Sequence, residues 1–531
     1  MSKNDAGVTG AEAMVQCFAQ ASMPAIFGVP GGGSSLDVIA AAKRLGIPFV
    51  LARTENGAGI MASALAELTR RPVGLLTTRG PGVSSAANAM ANASLERAPV
   101  ILIADGFSAP EGRYVTHQLF DQAAMMAPVT RARGVGPGDA PRVLAAALGA
   151  PRGPVYLELA GDAARAAAPA PPAWLAPPRP DPGDLTAARA LLAASRRPAI
   201  IIGLEATTAT RTLVEALGCP ALVTYKAKGV IPDTHPLFGG VFTGGEAEAT
   251  LLHEADLIIL AGADPVEFIG QPWRYAAPVL DLACCAREMD YRAPDAALIG
   301  AWEDAAMALA ATASPRPWPE GRLAKLREDW LATLENRAVG HSGMAPSDIV
   351  RVTQSMCRRL GQDPRASVDA GAHMFAATTF WQAEQPGDLL ISNGLATMGY
   401  ALPAAIAAAW HDPARGAIAF TGDGGLLMAL GELATAAAMR LNLTVVVFND
   451  AALSLIDIKR GERDLPEGAL DWPRVDFTVI MRGMGGTAWQ ANDAAELEAA
   501  LAEAWAKPGP RLIDVRTDPS SYAAQILALR G

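Results

Sequence analysis

Residues 422–450 read GDGGLLMALGELATAAAMRLNLTVVVFND, and the succession of patterns within them decides the fold. Just before the stretch, Ala417 to Phe420 is a short apolar run ending at a glycine-rich turn, the pattern of a buried strand. Apolar residues from Leu426 to Leu441 then keep helical spacing and predict one helix. Thr444 to Phe448 is β-branched and aromatic and stops at Asn449 and Asp450, a second buried strand. A strand, helix, strand unit with a right-handed crossover makes the two strands parallel, so Asp423 and Asp450 emerge together at carboxyl ends. That edge is where open α/β sheets bind ligands. Two carboxylates so placed suit one hard cation with oxygen ligands. Gly424 and Gly425 leave backbone N–H groups open to a phosphate at a helix N-terminus. The chemistry called for is a metal ion bridged to a diphosphate. Taken alone, the same residues also fit an ordinary βαβ unit whose aspartates cap helices or face solvent.

Length and composition bound the rest. A chain of 531 residues should hold about three domains. With 51% hydrophobic and 18% charged residues it suits a large buried core rather than disorder. The net charge of −10 offers no basic footprint, so neither nucleic acid nor an anionic membrane is an expected partner. The five cysteines, Cys17, Cys219, Cys284, Cys285 and Cys357, show no CxxC spacing and read as free thiols in a reducing compartment. No N-terminal stretch resembles a signal peptide, and no uninterrupted apolar run reaches the length of a membrane span. The expected location is cytoplasmic.

Two proline-rich breaks divide the chain. The run AAAPAPPAWLAPPRPDPG, Ala166 to Gly183, continues neither helix nor strand and reads as an extended linker. A shorter break, SPRPWPEG at Ser314 to Gly321, precedes a helical stretch. The result is three segments, 1–165, 184–312 and 345–531, each alternating apolar strand-like runs with amphipathic helices. The fold class expected is α/β, with three doubly wound parallel-sheet domains.

In the first segment Ala25 to Val29 reads as a strand entering the turn GVPGGG, and Leu36 to Leu45 as a helix. Phe49 to Ala52 is a second strand, followed by Glu55 and a helix from about Ala58 to Leu68. Val73 to Thr78 is a third, ending at Gly80-Pro81-Gly82. Glu55 thus opens a helix at a strand end, where a side chain reaches a crevice; it equally suits a glutamate that complements the helix dipole. In the middle segment Pro198 to Gly203 and Ala255 to Gly262 are strand-like, without a GxGxxG after a strand.

The GDG turn and the strand ending at Asn449-Asp450 resemble the signature of thiamine diphosphate enzymes, with Asp450 where the family usually has a second asparagine. Arg53-Thr54-Glu55 resembles the family's arginine-x-glutamate pattern. Thr77 to Asp105, TTRGPGVSSAANAMANASLERAPVILIAD, resembles its pyrimidine domain, with Arg79 in place of the usual serine. Ser392 to Ala405, SNGLATMGYALPAA, is similar to the family's GGLGxMGxxLPAA. Nearly the whole chain resembles the acetohydroxyacid synthase and benzoylformate decarboxylase group. The resemblance implies a pyrimidine-binding domain, a middle domain and a diphosphate-binding domain, in that order. It implies Mg²⁺ held by Asp423, Asp450 and the carbonyl of Ala452, with Gly422, Gly424 and Gly425 at the diphosphate and His373 close by. It makes Met398 the apolar wedge that bends the cofactor, sets the carbonyl of Ala396 opposite the 4′-amino group, and gives Glu55 the hydrogen bond to N1′ of the aminopyrimidine. It implies that Glu55 and the metal site come from different subunits, so a homodimer is the minimum unit, with a homotetramer compatible.

The choice of reaction rests on departures within that group. Dedicated pyruvate decarboxylases resemble one another in a paired histidine after the first domain's fourth strand. They also share a glutamate six residues past the second metal ligand. Here the first position reads His117-Gln118 and the second is Ile456. The run THQLFDQ is closer to the synthases' FQExDQ, with His117 replacing phenylalanine and Gln118 kept. An apolar Ile456 offers no proton, which favours transfer to a second carbonyl compound over release of aldehyde; His117 and Gln118 are the further catalytic candidates. Lys459 stands where synthases have tryptophan, so the acceptor pocket should differ. Small-molecule carbonyl compounds are the substrates implied, by a lyase or carboligase similar to acetolactate synthase. The alternatives are a non-oxidative 2-oxo acid decarboxylase and a flavin-linked 2-oxo acid oxidase; FAD, which some relatives bind in the middle domain, is not favoured.

Overall fold

A computed structural model describes residues 8–268, 272–287, 292–335, 343–468 and 470–530. Its backbone divides into two compact units. The first is built from Met1–Pro178, Gly394–Ala414 and Ala429–Leu441; the second takes Arg179–Asn393, Arg415–Met428 and Asn442–Gly531.

The first unit holds a six-stranded parallel sheet in the order Phe49–Leu51, Ile26–Val29, Val73–Thr77, Val100–Gly106, Val155–Ala160, Arg133–Val135. Chain order reverses direction between Ile26–Val29 and Val73–Thr77, the switch point of a doubly wound sheet. Its central strands are buried along their whole length, as uninterrupted apolar runs in parallel sheets require. Glu55–Thr69 crosses close to Ala87–Leu95 because Gly59 has no side chain: a Cβ there would lie 2.4 Å from the Ala89 Cβ. Ala401–His411, buried from Ala401 through Ala409, packs along the same helix. A helix apolar on every face has to be covered on every face. The start of the proline-rich linker is tied down, Ala167–Ala168 pairing antiparallel with Val8–Thr9.

The second unit holds two more parallel sheets of six strands. One runs Phe238–Val241, Ala221–Val223, Pro198–Ile202, Leu257–Ala261, Val279–Ala283, Ala296–Ile299, and switches between Pro198–Ile202 and Leu257–Ala261. The other runs Leu389–Ile391, Arg365–Val368, Ala417–Gly422, Leu443–Asn449, Arg511–Arg516, Thr487–Ala491. Its switch lies between Arg365–Val368 and Ala417–Gly422. One contiguous core, from Ala188 to Leu529, draws on both sheets, and a separate one around Ile201, Ile258 and Val279 packs the other face of the first. Among the described residues no helix is long and apolar enough to cross a membrane.

One expected element is different. The helical spacing from Leu426 to Leu441 is realised as two short helices, Asp423–Met428 and Glu432–Ala438, separated by a tight turn. Within that turn Glu432 N–H donates to the Ala429 carbonyl and Ala434 N–H to that of Gly431. The cause is tertiary: the Glu432 carboxylate is turned inward onto the backbone of Arg53 and Thr54.

Candidate active site

Ala417–Gly422 and Leu443–Asn449 pair in parallel, with Gly422 opposite Phe448, so Asp423 and Asp450 leave neighbouring strand ends on the same edge. Asp423 is buried, 3% exposed. Its Oδ1 accepts from the Gly424 N–H at 2.9 Å. Among the described residues its Oδ2 accepts no well-formed hydrogen bond, and the Trp472 indole N–H near it is likewise unpartnered. Burial, and next to it the charge of Asp450, push the Asp423 carboxyl up to about 7. Asp450 is raised by burial too, against the opposing pull of Ser454 and the Ala452 N–H, which donate to it. Two neighbouring carboxylates, both raised by burial and one of them also by the charge of the other, with one oxygen orphaned, are short of a cation.

The backbone after Asp450 is shaped to supply a further oxygen. Ala451 lies at φ +63°, a left-handed conformation costing roughly 1–2 kcal/mol outside glycine. Ala452 then bridges antiparallel to Asp471, but the ladder bonds are made by its neighbours, Leu453 N–H to Leu470 and Trp472 N–H to Ala451. Ala452 thus occupies the non-hydrogen-bonded position, and the ladder leaves its carbonyl unused. Among the described residues no group of three or more His, Cys, Asp or Glu side chains forms a metal cage. Two carboxylates and a carbonyl instead suit Mg²⁺, which keeps part of its coordination for phosphate and water. The residues therefore fit the expected ion. The Gly424 N–H, expected to be open, is taken by the Asp423 carboxylate. Gly425 is required by a residue the sequence did not single out: a Cβ there would lie 2.7 Å from Oδ2 of Asp369, which also accepts from Thr421.

His373 opens the helix His373–Phe380 behind this turn, stacked on Phe448 with ring centroids 5.1 Å apart. Gly371 and Gly422 make room for its ring. Its Nε2 has no hydrogen-bond partner among the described residues, and burial pushes the imidazole down to about 4. The unfolded chain binds that proton more readily, so the stability His373 contributes is complete above 6.5 and is lost as pH falls toward 4. Replacing it by phenylalanine should remove this loss. Urea unfolding at pH 7 and pH 4 should show the wild type losing stability relative to His373→Phe by a few kcal/mol. A difference independent of pH would mean the ring is not held neutral.

The other two sheet edges carry carboxylates as well, and both take donors from neighbouring turns. In the first sheet the turn PGGG wraps around Asp105, whose Oδ1 accepts from Ser34 Oγ, Ser35 N–H and Ser35 Oγ at 2.7–2.8 Å. At the middle sheet's switch point, Glu267 Oε2 accepts from the N–H groups of Leu204 and Asp264, and Thr224 donates to Oε1. Only glycine fits at Gly203 beside it. Of these three edge carboxylates, Asp423 alone has an oxygen that is fully buried without a hydrogen-bond partner among the described residues.

The first unit assembles the remaining candidates. Thr54 caps Glu55–Thr69, accepting from the Gly57 N–H, so Glu55 is the first helical residue and half-buried. Its carboxylate lies over the Gly80–Gly82 turn, where a Cβ on Gly82 would stand 3.4 Å from Oε1. Gln118, at φ +62°, packs on Gly80. The hydrogen bond holding that turn comes instead from Gln122, unforeseen from the sequence: Gly80 N–H donates to its Oε1, and its amide donates toward Asp105, Tyr156 and Glu158. His117 is exposed and makes none of these contacts. Arg79 lies over the Phe107 ring and pairs with Glu111. Asn88 joins Asn56, next to Glu55, to Thr397, and Gly394 N–H donates to buried Glu96. The loop bearing Ala396, at φ +54°, and Met398 is thereby anchored on the unit that carries Glu55.

Three family models match in succession: the thiamine pyrophosphate enzyme N-terminal binding domain over residues 8–125, the central domain over 185–310 and the C-terminal binding domain over 369–515. The chain belongs to the thiamine pyrophosphate enzymes and depends on thiamine diphosphate. It is 30% identical to the probable 2-ketoarginine decarboxylase of Pseudomonas aeruginosa, over 96% of this chain and 94% of that one. It is 28% identical to the acetolactate synthase isozyme 1 large subunit of Escherichia coli over the same shares, and 26% identical to the acetolactate synthase of Bacillus subtilis over 96% and 93%.

Proposed function

We propose that this enzyme is a Mg²⁺-dependent carboligase and lyase of 2-oxo acids or related carbonyl compounds, joining the fragment of a donor to a second carbonyl compound. The observation that carries the cofactor reading is the buried Asp423–Asp450 pair with its orphaned oxygen. When bound, thiamine diphosphate supplies a thiazolium carbon that adds to a carbonyl and accepts the electron pair of a breaking C–C bond. The chain's own groups do the rest. Asp423, Asp450 and the Ala452 carbonyl hold Mg²⁺, with Gly422, Gly424 and Gly425 at the diphosphate and His373 beside them as a neutral ring. Glu55 would hold a proton at N1′ of the aminopyrimidine, the Ala396 carbonyl would face the 4′-amino group, and Met398 would support the cofactor as an apolar wedge. Segments 1–165, 184–312 and 345–531 serve as pyrimidine-binding, middle and diphosphate-binding domains.

Supporting carboligation, Ile456 is 47% exposed on the helix Ser454–Glu462 that follows the metal turn, and presents no acid there. Lys459, one turn on, is exposed as well. Against a flavin stands Glu267, whose carboxylate already takes the amides at the middle sheet's switch point. A homodimer in the cytoplasm is the working unit; Leu427 and Met428, exposed beside the metal turn, offer apolar surface to a second copy. A second reading, non-oxidative decarboxylation, draws on the 30% identity to a probable decarboxylase and on exposed His117 as a proton donor.

Product analysis separates the two. A panel of 2-oxo acids, with and without aldehyde acceptors, should give mainly ligated product when an acceptor is present. Ile456→Glu should shift the ratio toward free aldehyde, because it sets an acid where the wild type has none. Release of aldehyde alone by the wild type, even at high acceptor concentration, would replace the first reading with the second.

A further inference from the structure

Glu432 is 1% exposed in the first unit, and no cationic side chain pairs with it among the described residues. Its carboxylate instead gathers donors from a strand-to-helix turn far away in sequence. Oε1 accepts from the Thr54 N–H at 3.0 Å, from Thr54 Oγ1 at 3.0 Å and from the Arg53 N–H at 3.2 Å. Oε2 accepts from the Arg53 N–H at 3.3 Å and from Thr435 Oγ1 at 2.7 Å. Backbone N–H groups only donate, so a proton on Oε1 would face donors; the arrangement suits a carboxylate. Thr54 Oγ1 in turn accepts from the Gly57 N–H, which fixes the direction of its own hydrogen toward Glu432. Gly57 leaves the passage: a Cβ there would sit 2.3 Å from Glu432 Oε1.

These bonds converge on the residues either side of Glu55. Arg53 and Thr54 before it are held by Glu432 directly, and Gly57 after it through the Thr54 hydroxyl. The break between the helices Asp423–Met428 and Glu432–Ala438 is what lets the carboxylate turn inward. We infer that Glu432 is a positioning residue for Glu55, clamping the backbone on both sides of it so that its carboxyl stands at a fixed place. The inference rests on reading Glu55 as the group that meets the aminopyrimidine. Charge-assisted hydrogen bonds from a buried carboxylate to backbone N–H groups are strong enough to hold such a turn. A loss of about an ångström in placement can cost on the order of 100-fold in rate.

The test uses the full-length protein, with and without thiamine diphosphate and Mg²⁺. Amide hydrogen exchange of the peptide spanning 49–60 reports the clamp, and kcat together with cofactor affinity reports its consequence. Glu432→Ala should expose the Arg53, Thr54 and Gly57 amides to faster exchange while peptides elsewhere keep their protection. It should lower kcat by ~10–100-fold with little change in cofactor affinity. Glu432→Gln, whose amide oxygen can still face the Thr54 donors, should recover most of both. Thr54→Val should reproduce the loss, and the double variant should be no worse than either single one, because they break one link. If Glu432→Ala does not accumulate folded, Thr54→Val and Glu432→Gln carry the same comparison. Wild-type kcat or wild-type local protection in Glu432→Ala or Thr54→Val overturns the proposal, as does a loss of protection spread over the whole chain. An impaired Glu55→Gln beside an unimpaired Glu432→Ala overturns it alone. An unimpaired Glu55→Gln removes the reading beneath it, even where the clamp is seen to loosen.

Discussion

Glu55→Gln is expected to slow turnover at least ~100-fold, the scale of losing a positioned general acid or base. Glutamine keeps the shape and the helix-opening position, so the Thr54 cap and the fit over Gly82 survive. It cannot hold or release the proton at N1′. Cofactor affinity should therefore fall far less than kcat, since the metal and diphosphate contacts arise from other residues. Calorimetric titration of thiamine diphosphate beside steady-state kinetics separates the two. A variant that loses affinity and turnover in equal measure would make Glu55 a binding residue, and one that loses neither would leave it a helix-dipole residue.

Asp423→Ala is expected to abolish Mg²⁺-dependent cofactor binding, weakening it by more than ~100-fold, beyond the scale for losing a group that merely orients a ligand. Chelation of the metal should do the same to the wild type. The apo-protein should not suffer from the substitution itself. Removing a buried carboxylate with an orphaned oxygen, next to a second carboxylate, relieves repulsion and desolvation. Asp450→Asn should be tolerated within a few-fold, because the amide oxygen still ligates and still accepts from the Ala452 N–H, while the Ser454 hydroxyl can turn to accept from the amide NH2. Tight, metal-dependent binding by Asp423→Ala would falsify the assignment of the ion.

Much of this was legible in the chain itself. Short apolar runs such as Val73 to Thr78 and Thr444 to Phe448 read as buried strands, and three segments of alternating pattern correspond to three six-stranded parallel sheets. The shared edge of Asp423 and Asp450 followed from strand order alone. The break at Ala429–Gly431 was hidden because its cause lies 378 residues away, at the Thr54 amide. Periodicity reports which face is apolar, but it does not report that one polar residue on that face has a distant partner. In the sequence Glu432 is simply an acidic residue within an apolar helical run, a pattern that marks buried polar groups without naming their function.

The same limit explains the turns. PGGG after Ile26–Val29 has the composition of a phosphate loop, yet a side chain at Gly31 would meet Thr78 and Asp105 and one at Gly33 would press on Asp105, while Gly32 stands open. Gln118 drew notice through resemblance, while Gln122, four residues on, makes the hydrogen bonds that hold Gly80. Glu55 could be read either as a dipole-complementing residue or as a catalytic one, and the resemblance to a family supplied the second meaning. Asn449, part of the signature by position, is bonded to Asp514, Val475 and Arg474, and so shapes the turn from behind.

The central claim is that Glu55 activates a cofactor held by Asp423 and Asp450. The exchange of the C2 proton of bound thiamine diphosphate for deuterium, quenched in acid and read by NMR, follows that step before any substrate enters. At equal cofactor occupancy the wild type should exchange at least ~100-fold faster than Glu55→Gln. Equal exchange rates in the two proteins would contradict the account.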